Sequence, residues 1–465
     1  MDIVEGLLLF IAIIGIYVLV AYMLHKKGIL KKHSISFYGP ALMWRTEKGI
    51  NFLKRLAKKQ RFWKVYGNTG IVFCFITMVL MTLLIITTVW LVFGFTPAQR
   101  ARMPGPEFAL LLPVINPILP IEYIGYIIIA VVIAIIVHEF SHGILTLVDK
   151  LKVKSLGILY LIIPIGAFCE PDEEELKKAD IKPRMRIYAA GPTSNMIVVL
   201  LSILLMSFVF MSAVQPAAEG AVVFTVDLDS PAEQIGLKSG VIITYLNDTR
   251  IKNGDEFFYA LNLTKDNQTV NISYVIRDKT YTKQVTLGNK YFEFEKRKNI
   301  YKTNNESYKK KGYLGVQTLL TDSAFKGYLS TLKNPFTGFP DGLLIFYSIP
   351  LTGYFQGYNP LVAPFTDNYI IRGPLSIIPT DIFWIVVNCL YWIFWLNAAL
   401  ALFNVLPMIP LDGGFLFNDG LRVAIKKIKK ETTEEQREKI VKNVSLAISL
   451  LILGLVLIPF FIKYI

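Results

Sequence analysis

Apolar runs of about 20 residues recur along the chain, the length that a hydrocarbon core of ~30 Å demands of a spanning helix. They fall at residues 6–24, 70–94, 124–147, 195–213, 384–406 and 444–464. The pattern predicts a polytopic α-helical membrane protein with about six transmembrane helices. Between the fourth and fifth runs the period changes. Val222–Val226, Val241–Asn247 and Val270–Arg277 alternate as strands do, Ser230–Gly240 reads as a short capped helix ending at glycine, and Gly254–Leu261 starts another helix. Residues 219–318 are therefore expected to form an inserted α+β domain.

The remaining segments follow from these two. Residues 1–100 hold two N-terminal transmembrane helices and a basic loop, 101–215 the first half of a transmembrane core, and 384–465 its second half. Residues 319–383 are aromatic-rich and broken by Pro335, Pro340, Pro350, Pro360 and Pro364, which predicts an interfacial or re-entrant region. Gly157–Phe168 is apolar but too short to span and is interrupted by Pro164 and Gly166. It predicts a hairpin or re-entrant piece buried against protein, because irregular backbone is not tolerated against lipid.

A hydrophobic fraction of 53% and a mean hydropathy of +0.47 agree with a membrane protein carrying a soluble part. The net charge of +14 does not indicate nucleic acid, since no zinc-finger spacing or aromatic-interleaved basic repeat accompanies it. It is positive-inside charge. Basic clusters flank the spans at Lys26–Lys64, at Lys150, Lys152, Lys154, Lys177, Lys178, Lys182, Arg184 and Arg186, and at Arg422, Lys426, Lys427, Lys429 and Lys430. All three fall at cytoplasmic positions once the first loop is placed inside. The expected localisation is an integral, multi-pass protein of the lipid bilayer (the cell membrane in a prokaryote), with the N-terminus and domain 219–318 outside. The first apolar run has no basic region before it and reads as a retained span. Cys74, Cys169 and Cys389 are far apart and form neither a disulfide framework nor a cysteine zinc site. Sequons at Asn247, Asn262, Asn267, Asn271 and Asn305 lie in the domain expected outside.

The third run leads into His138-Glu139-Phe140-Ser141-His142. Positions i and i+4 share one face of a helix, so both imidazoles can hold one Zn²⁺ with Glu139 beside its water. Ionisable groups at membrane depth are costly and mark function. Measured along the helix from Asp149, the motif lies roughly 10–16 Å from the cytoplasmic end at 1.5 Å per residue. A catalytic zinc takes three protein ligands and keeps one open position. The run 384–406 leads into Asn404-Val405-Leu406-Pro407-Met408-Ile409-Pro410-Leu411-Asp412-Gly413. Asp412, in the extended stretch expected after that helix, can complete the shell.

Together the two motifs closely resemble the site-2 protease family of intramembrane zinc metalloproteases, whose patterns are HExxH and NxxPxxPLDG. Ala190-Gly191-Pro192-Thr193-Ser194-Asn195 is similar to the GPxxN element that members carry before the next helix. The stretch SPAEQIGLKSGVIITYLNDTRI resembles a PDZ domain. The resemblance covers roughly residues 120–450. It implies an enzyme that cleaves transmembrane helices of membrane-protein substrates, in regulated intramembrane proteolysis. It makes His138, His142 and Asp412 the zinc ligands and Glu139 the general base. Asn195 and Asn404 become candidates for steadying the substrate strand or its oxyanion. The PDZ-like domain implies a groove for an extended peptide or chain terminus. Two other readings are a metal-containing transporter and a catalytically silent scaffold binding partners through that domain. Glu139 argues against both, because neither needs a carboxylate beside a liganding histidine, and paired broken helices in two repeated halves are absent from the pattern.

Overall fold

The computed structural model describes residues 3–109, 116–161, 163–297, 305–318, 322–357, 359–428 and 432–464. Lys429 and Lys430 of the last basic cluster, and residues 319–321 of the expected interfacial region, lie outside these. The chain divides into two compact units, Met1–Leu201 with Trp392–Ile465, and Ser202–Tyr391.

The first unit is built on helices α1 (Ile3–Lys26), α2 (Gln60–Phe93), α3 (Ile124–Val148), most of α4 (Ile181–Ile203), the second half of α5 (Thr380–Asn404), α6 (Asp412–Ile428) and α7 (Glu434–Phe461). Among the described residues, five helices are long and apolar enough to cross a membrane: α2, α3, α4 with its continuation to Ala213, α5 and α7. The run expected at 6–24 falls on α1, of which Ile14–Lys26 is an apolar helical stretch.

Two helices begin earlier than their apolar runs suggest. α2 starts at Gln60, and α4 starts at Ile181. Ala190–Asn195, expected ahead of a helix, therefore lies inside α4. Pro192 cannot donate to the carbonyl one turn back. The Thr193 and Ser194 hydroxyls bond back along the helix, to Ala189 O at 2.6 Å and Gly191 O at 2.7 Å.

The short apolar piece at 157–168 is a hairpin, and it is longer than its apolar core. β3 (Val153–Leu161) and β4 (Ile163–Pro171) pair antiparallel, and two strands from the basic N-terminal loop, β1 (Ile35–Tyr38) and β2 (Ala41–Thr46), extend them into a sheet ordered β1-β2-β3-β4. Gly157 admits this pairing, since a Cβ there would lie 2.3 Å from Trp44 O and 2.1 Å from the Phe168 ring. The N-terminal segment is thus part of the same unit. α2 reinforces this: Cβ atoms at Gly67 and Gly70 would meet Arg186 and the Thr193 hydroxyl on α4 at 2.9 and 2.6 Å, so the two helices approach as closely as glycine permits.

Arg184 and Arg186 read in sequence as charges flanking a span, and the fold gives each a specific partner. Both are largely buried in bidentate pairs. Arg184 donates to Asp419 of α6 at 2.5 and 3.1 Å, and Arg186 donates to Asp149 at the end of α3 through two bonds, its Nε at 3.0 Å. Asp419 also accepts from Arg422, which reaches Glu438 on α7. A buried charge without its partner is far costlier than the pair is worth.

The second unit contains a sheet of β5 (Ala221–Val226), β6 (Ile242–Leu246), β7 (Thr269–Ile276), β8 (Lys279–Thr286) and β9 (Val316–Thr318) in the order β8-β7-β6-β5-β9, with Thr249–Arg250 paired to β6. Helix Pro231–Gln234 is capped by Ser230, and helix Gly254–Asn262 by Asn253. Apolar residues of both helices and of these strands share one core. The stretch expected to be interfacial or re-entrant instead holds two helices, Asp322–Lys333 and Asp341–Gln356, and a strand, Tyr369–Ile371, paired with Val214–Pro216. Pro350 sits inside the second of these helices rather than ending it.

Asp149→Asn should lower the stability of the detergent-solubilised protein by about 3 kcal/mol, because it strands the Arg186 guanidinium in the packed interior. Thermal unfolding measures this, and Asp149→Asn combined with Arg186→Met should recover most of the loss. An unchanged melting profile in the single variant would show that the pair does not hold α3 to α4.

Candidate metal centre

His138 and His142 project from one face of α3, one turn apart, with ring centroids 4.8 Å apart. Asp412 comes from the far end of the chain. Its position differs from the extended stretch expected: it is the first residue of α6. The turn that delivers it is tight. Cβ atoms at Gly413 and Gly414 would lie 2.2 Å from Val405 O and 2.6 Å from Met408 O, so only glycine lets α6 begin against the end of α5. One Asp412 carboxylate oxygen then lies 3.0 Å from His138 Nε2 and 3.4 Å from His142 Nε2. The three donor atoms fall within 4.8 Å of one another.

The second ring nitrogens face away from this point. His142 Nδ1 lies 2.7 Å from Ile187 O, so it carries the proton and Nε2 presents a lone pair. That lone pair faces a carboxylate oxygen. A proton or a metal ion must lie between the two. Burial alone would raise the Asp412 carboxyl, but His142 and His138, when protonated, outweigh it and hold it well below the usual carboxylate range; a bound metal takes the place of those protons. The set of two imidazole nitrogens and one carboxylate suits zinc. Above it the backbone leaves a cradle: a Cβ at Gly191 would lie 2.5 Å from His138 Nε2 and His142 Nε2, in the space a metal needs. Gly191 has no side-chain chemistry, and only its place in the Ala190–Asn195 element could have signalled it.

Glu139 turns toward the sheet rather than toward the rings. Its Oε2 accepts the Cys169 N–H of β4 at 2.8 Å. Burial, and after it the Glu139 charge, pushes the Cys169 thiol up to about 12, so that side chain is neutral beside it. Glu139, His138, His142, Asp412 and Asn404 line one cavity of about 470 Å³, together with Gly166, Ala167 and Cys169 of β4 and the stacked rings of Tyr188 and Phe415. Asn195 is not among them. It is fully buried behind His138, its amide 3.3 Å from His138 Nδ1. That places its amide against the His138 ring and apart from the residues that line the cavity.

Sequence reading also missed Tyr66 of α2. Its hydroxyl lies 2.8 Å from Ser141 of the HExxH turn and donates to Ala190 O on α4 at 2.8 Å. One hydroxyl thus joins the histidine helix to the helix that bears Gly191. Ser194 adds a bond from α4 to Val137 O on α3 at 3.1 Å.

The chain is 28% identical over 376 residues to an uncharacterized protein of Methanocaldococcus jannaschii, covering 80% of this chain and 76% of that one. Two relatives carry the name "Putative zinc metalloprotease": one from Clostridium acetobutylicum, 26% identical over 61% of this chain and 82% of its own, and one from Clostridium perfringens, 25% identical over 69% and 88%. Among solved structures, the PDZ domain of an SdrC-like protein from Listeria monocytogenes aligns with 22% of this chain and 88% of its own at 22% identity, with a TM-score of 0.17, too low to establish a likeness of fold. The profile of Peptidase family M50 matches residues 126–452, a span that contains His138, Glu139, His142, Gly191 and Asp412, and the chain belongs to that family.

Proposed function

We propose that this membrane peptidase is a zinc endopeptidase that cuts transmembrane segments of other membrane proteins within regulated intramembrane proteolysis, nearer the cytoplasmic side of the bilayer. The observation that carries the reading is the convergence of His138 Nε2, His142 Nε2 and the Asp412 carboxylate in a cavity that also holds Glu139. A bound zinc supplies Lewis acidity toward a scissile carbonyl and toward water. The protein's own part is positional. Ile187 O and Asn195 hold the two rings by their Nδ1 atoms. Glu139, fixed by the Cys169 N–H, accepts a proton from the attacking water and returns it to the leaving amide nitrogen. Asn404, on the cavity wall, is the side chain available to steady the developing oxyanion.

A helical substrate hides its amides and must unwind to be cut. β4 offers the unwound strand a partner, because it is an edge strand of its sheet among the described residues. The Cys169 N–H points away from β3, toward Glu139, and the register runs unbroken from Cys169 to Ala167. Ala167, two residues along, therefore presents its backbone groups to the same edge. Strand addition there would lay the substrate along the cavity that holds the metal ligands. For the sheet module at 219–318 we keep the PDZ-like reading: it faces the extracytoplasmic side and takes extended peptide or chain termini.

Three measurements test this. Glu139→Gln should keep zinc near one per chain while cleavage of a transmembrane substrate falls by roughly 10²–10⁴-fold; substantial residual turnover would remove Glu139 as the base.

Gly191→Ala should weaken zinc roughly 10–100-fold in chelator competition, an effect on the order seen when groups around a metal are disturbed, because the added methyl enters the cradle. Asp412→Ala should do the same by removing a ligand. Wild-type affinity in either variant would contradict the assigned shell.

Ala167→Pro removes an outward N–H without touching the β3 ladder. It should lower kcat/KM roughly tenfold, about one hydrogen bond's worth, at unchanged zinc content. Unchanged kinetics would exclude strand addition on this edge.

A further inference from the structure

Nine asparagines fall between residues 219 and 318, and five of them, Asn247, Asn262, Asn267, Asn271 and Asn305, head an Asn-x-Ser/Thr triplet without proline. Fourteen of those hundred residues are Ser or Thr, so chance would supply about one such triplet. The rest of the chain has twelve asparagines and a single triplet, Asn443-Val444-Ser445.

The fold adds a second, independent distinction. All five asparagines are exposed. Asn247 and Asn267 sit at turns with φ of 50° and 57°. In Asn247 and Asn262 the engaged atom is the carbonyl oxygen, which accepts from Asn271 N–H and the Lys290 ammonium. These donors fix the oxygen's identity and leave Nδ2 on the other side of the amide. Asn289 heads no triplet and differs: it is a half-buried helix cap that spends its Nδ2 on Asp266 and Lys309 O.

Four of the five cluster. Asn247 N–H bonds Asn271 O across two strands. Asn247, Thr249, Thr264 and Gln268, all members of these triplets, line a cavity of about 580 Å³ beside Tyr259 and Leu263, which are 70% and 68% exposed. Sugars at the rim would cover apolar surface that the module itself leaves bare.

We propose that the module at 219–318 is an acceptor of N-linked oligosaccharides at these asparagines. The donor is a polyisoprenyl phosphate- or diphosphate-linked sugar on the extracytoplasmic face. The amide Nδ2 forms the bond to the sugar's C1, the C1–O bond to the carrier phosphate breaks, and the amide proton leaves with the phosphate. Asn443 is an internal control. It is exposed on α7, next to the basic cluster assigned to the cytoplasm, where no such donor acts. The test is peptide mass spectrometry of the protein purified from the membranes of its own cells. Sugar on any of the five asparagines with Asn443 bare is the expected result, and Asn→Gln at each occupied site should remove one glycan's mass from the intact chain. All five bare, or Asn443 modified, would overturn the proposal.

Discussion

Arg184 and Arg186 stand two residues apart on α4, and each is held by an aspartate on a different helix that carries a metal-site residue. Asp149 closes α3, the histidine helix, and Asp419 lies two turns beyond Asp412 on α6. A guanidinium gives two directed bonds to a carboxylate, so each pair fixes orientation as well as distance. The histidines and Asp412 come from segments some 270 residues apart, and an isolated aspartate has no means of finding two imidazoles to within 3.0–3.4 Å. α4 supplies that means as a shared reference, tied to both neighbours one to two turns from the site.

Close packing completes what the ion pairs begin. Glycine recurs wherever two elements of the centre meet: Gly67 and Gly70 between α2 and α4, Gly143 against Cys169 and Leu53, Gly191 under the imidazoles, Gly413 and Gly414 at the turn into α6. Each would place a Cβ within 3 Å of a neighbouring atom. In hydrocarbon there is little apolar driving force between helices, so contact area and hydrogen bonds hold them, and both demand short approach. Tyr66 and Ser194 use that closeness to bond across α2, α3 and α4.

The legible parts of the chain were those with a period. Apolar runs located the helices, alternation located the strands at 219–318, and the i, i+4 spacing of His138 and His142 put both on one face. What was illegible had long-range causes. The partners of Arg184 and Arg186 lie 235 and 37 residues away, so a local reading sees only positive charge beside an apolar run. Asn195 and Asn404 look equivalent as lone amides in apolar surroundings; only the packing puts one behind a histidine and the other on the cavity wall. Gly191 carries no functional group, and its importance is the volume it leaves empty. β1 and β2 lay hidden in a loop whose lysines and arginines suggested solvent.

One consequence ties the sheet to the chemistry. The Cys169 N–H that orients Glu139 belongs to the strand whose edge lines the cavity. A carboxylate in a partly dehydrated cavity needs a donor to satisfy its oxygens and hold it in place. Taking that donor from β4, rather than from a side chain, means that the base and the strand edge share one rigid frame. Any shift of β4 by one residue would reverse which amides face outward. It would turn the Cys169 N–H inward and the Phe168 N–H out, leaving Glu139 without its anchor. The register of β4, set by its pairing with β3 and by Gly157, which sits opposite Arg45 of β2 and Phe168 of β4, is therefore as much a determinant of the centre as the histidines themselves.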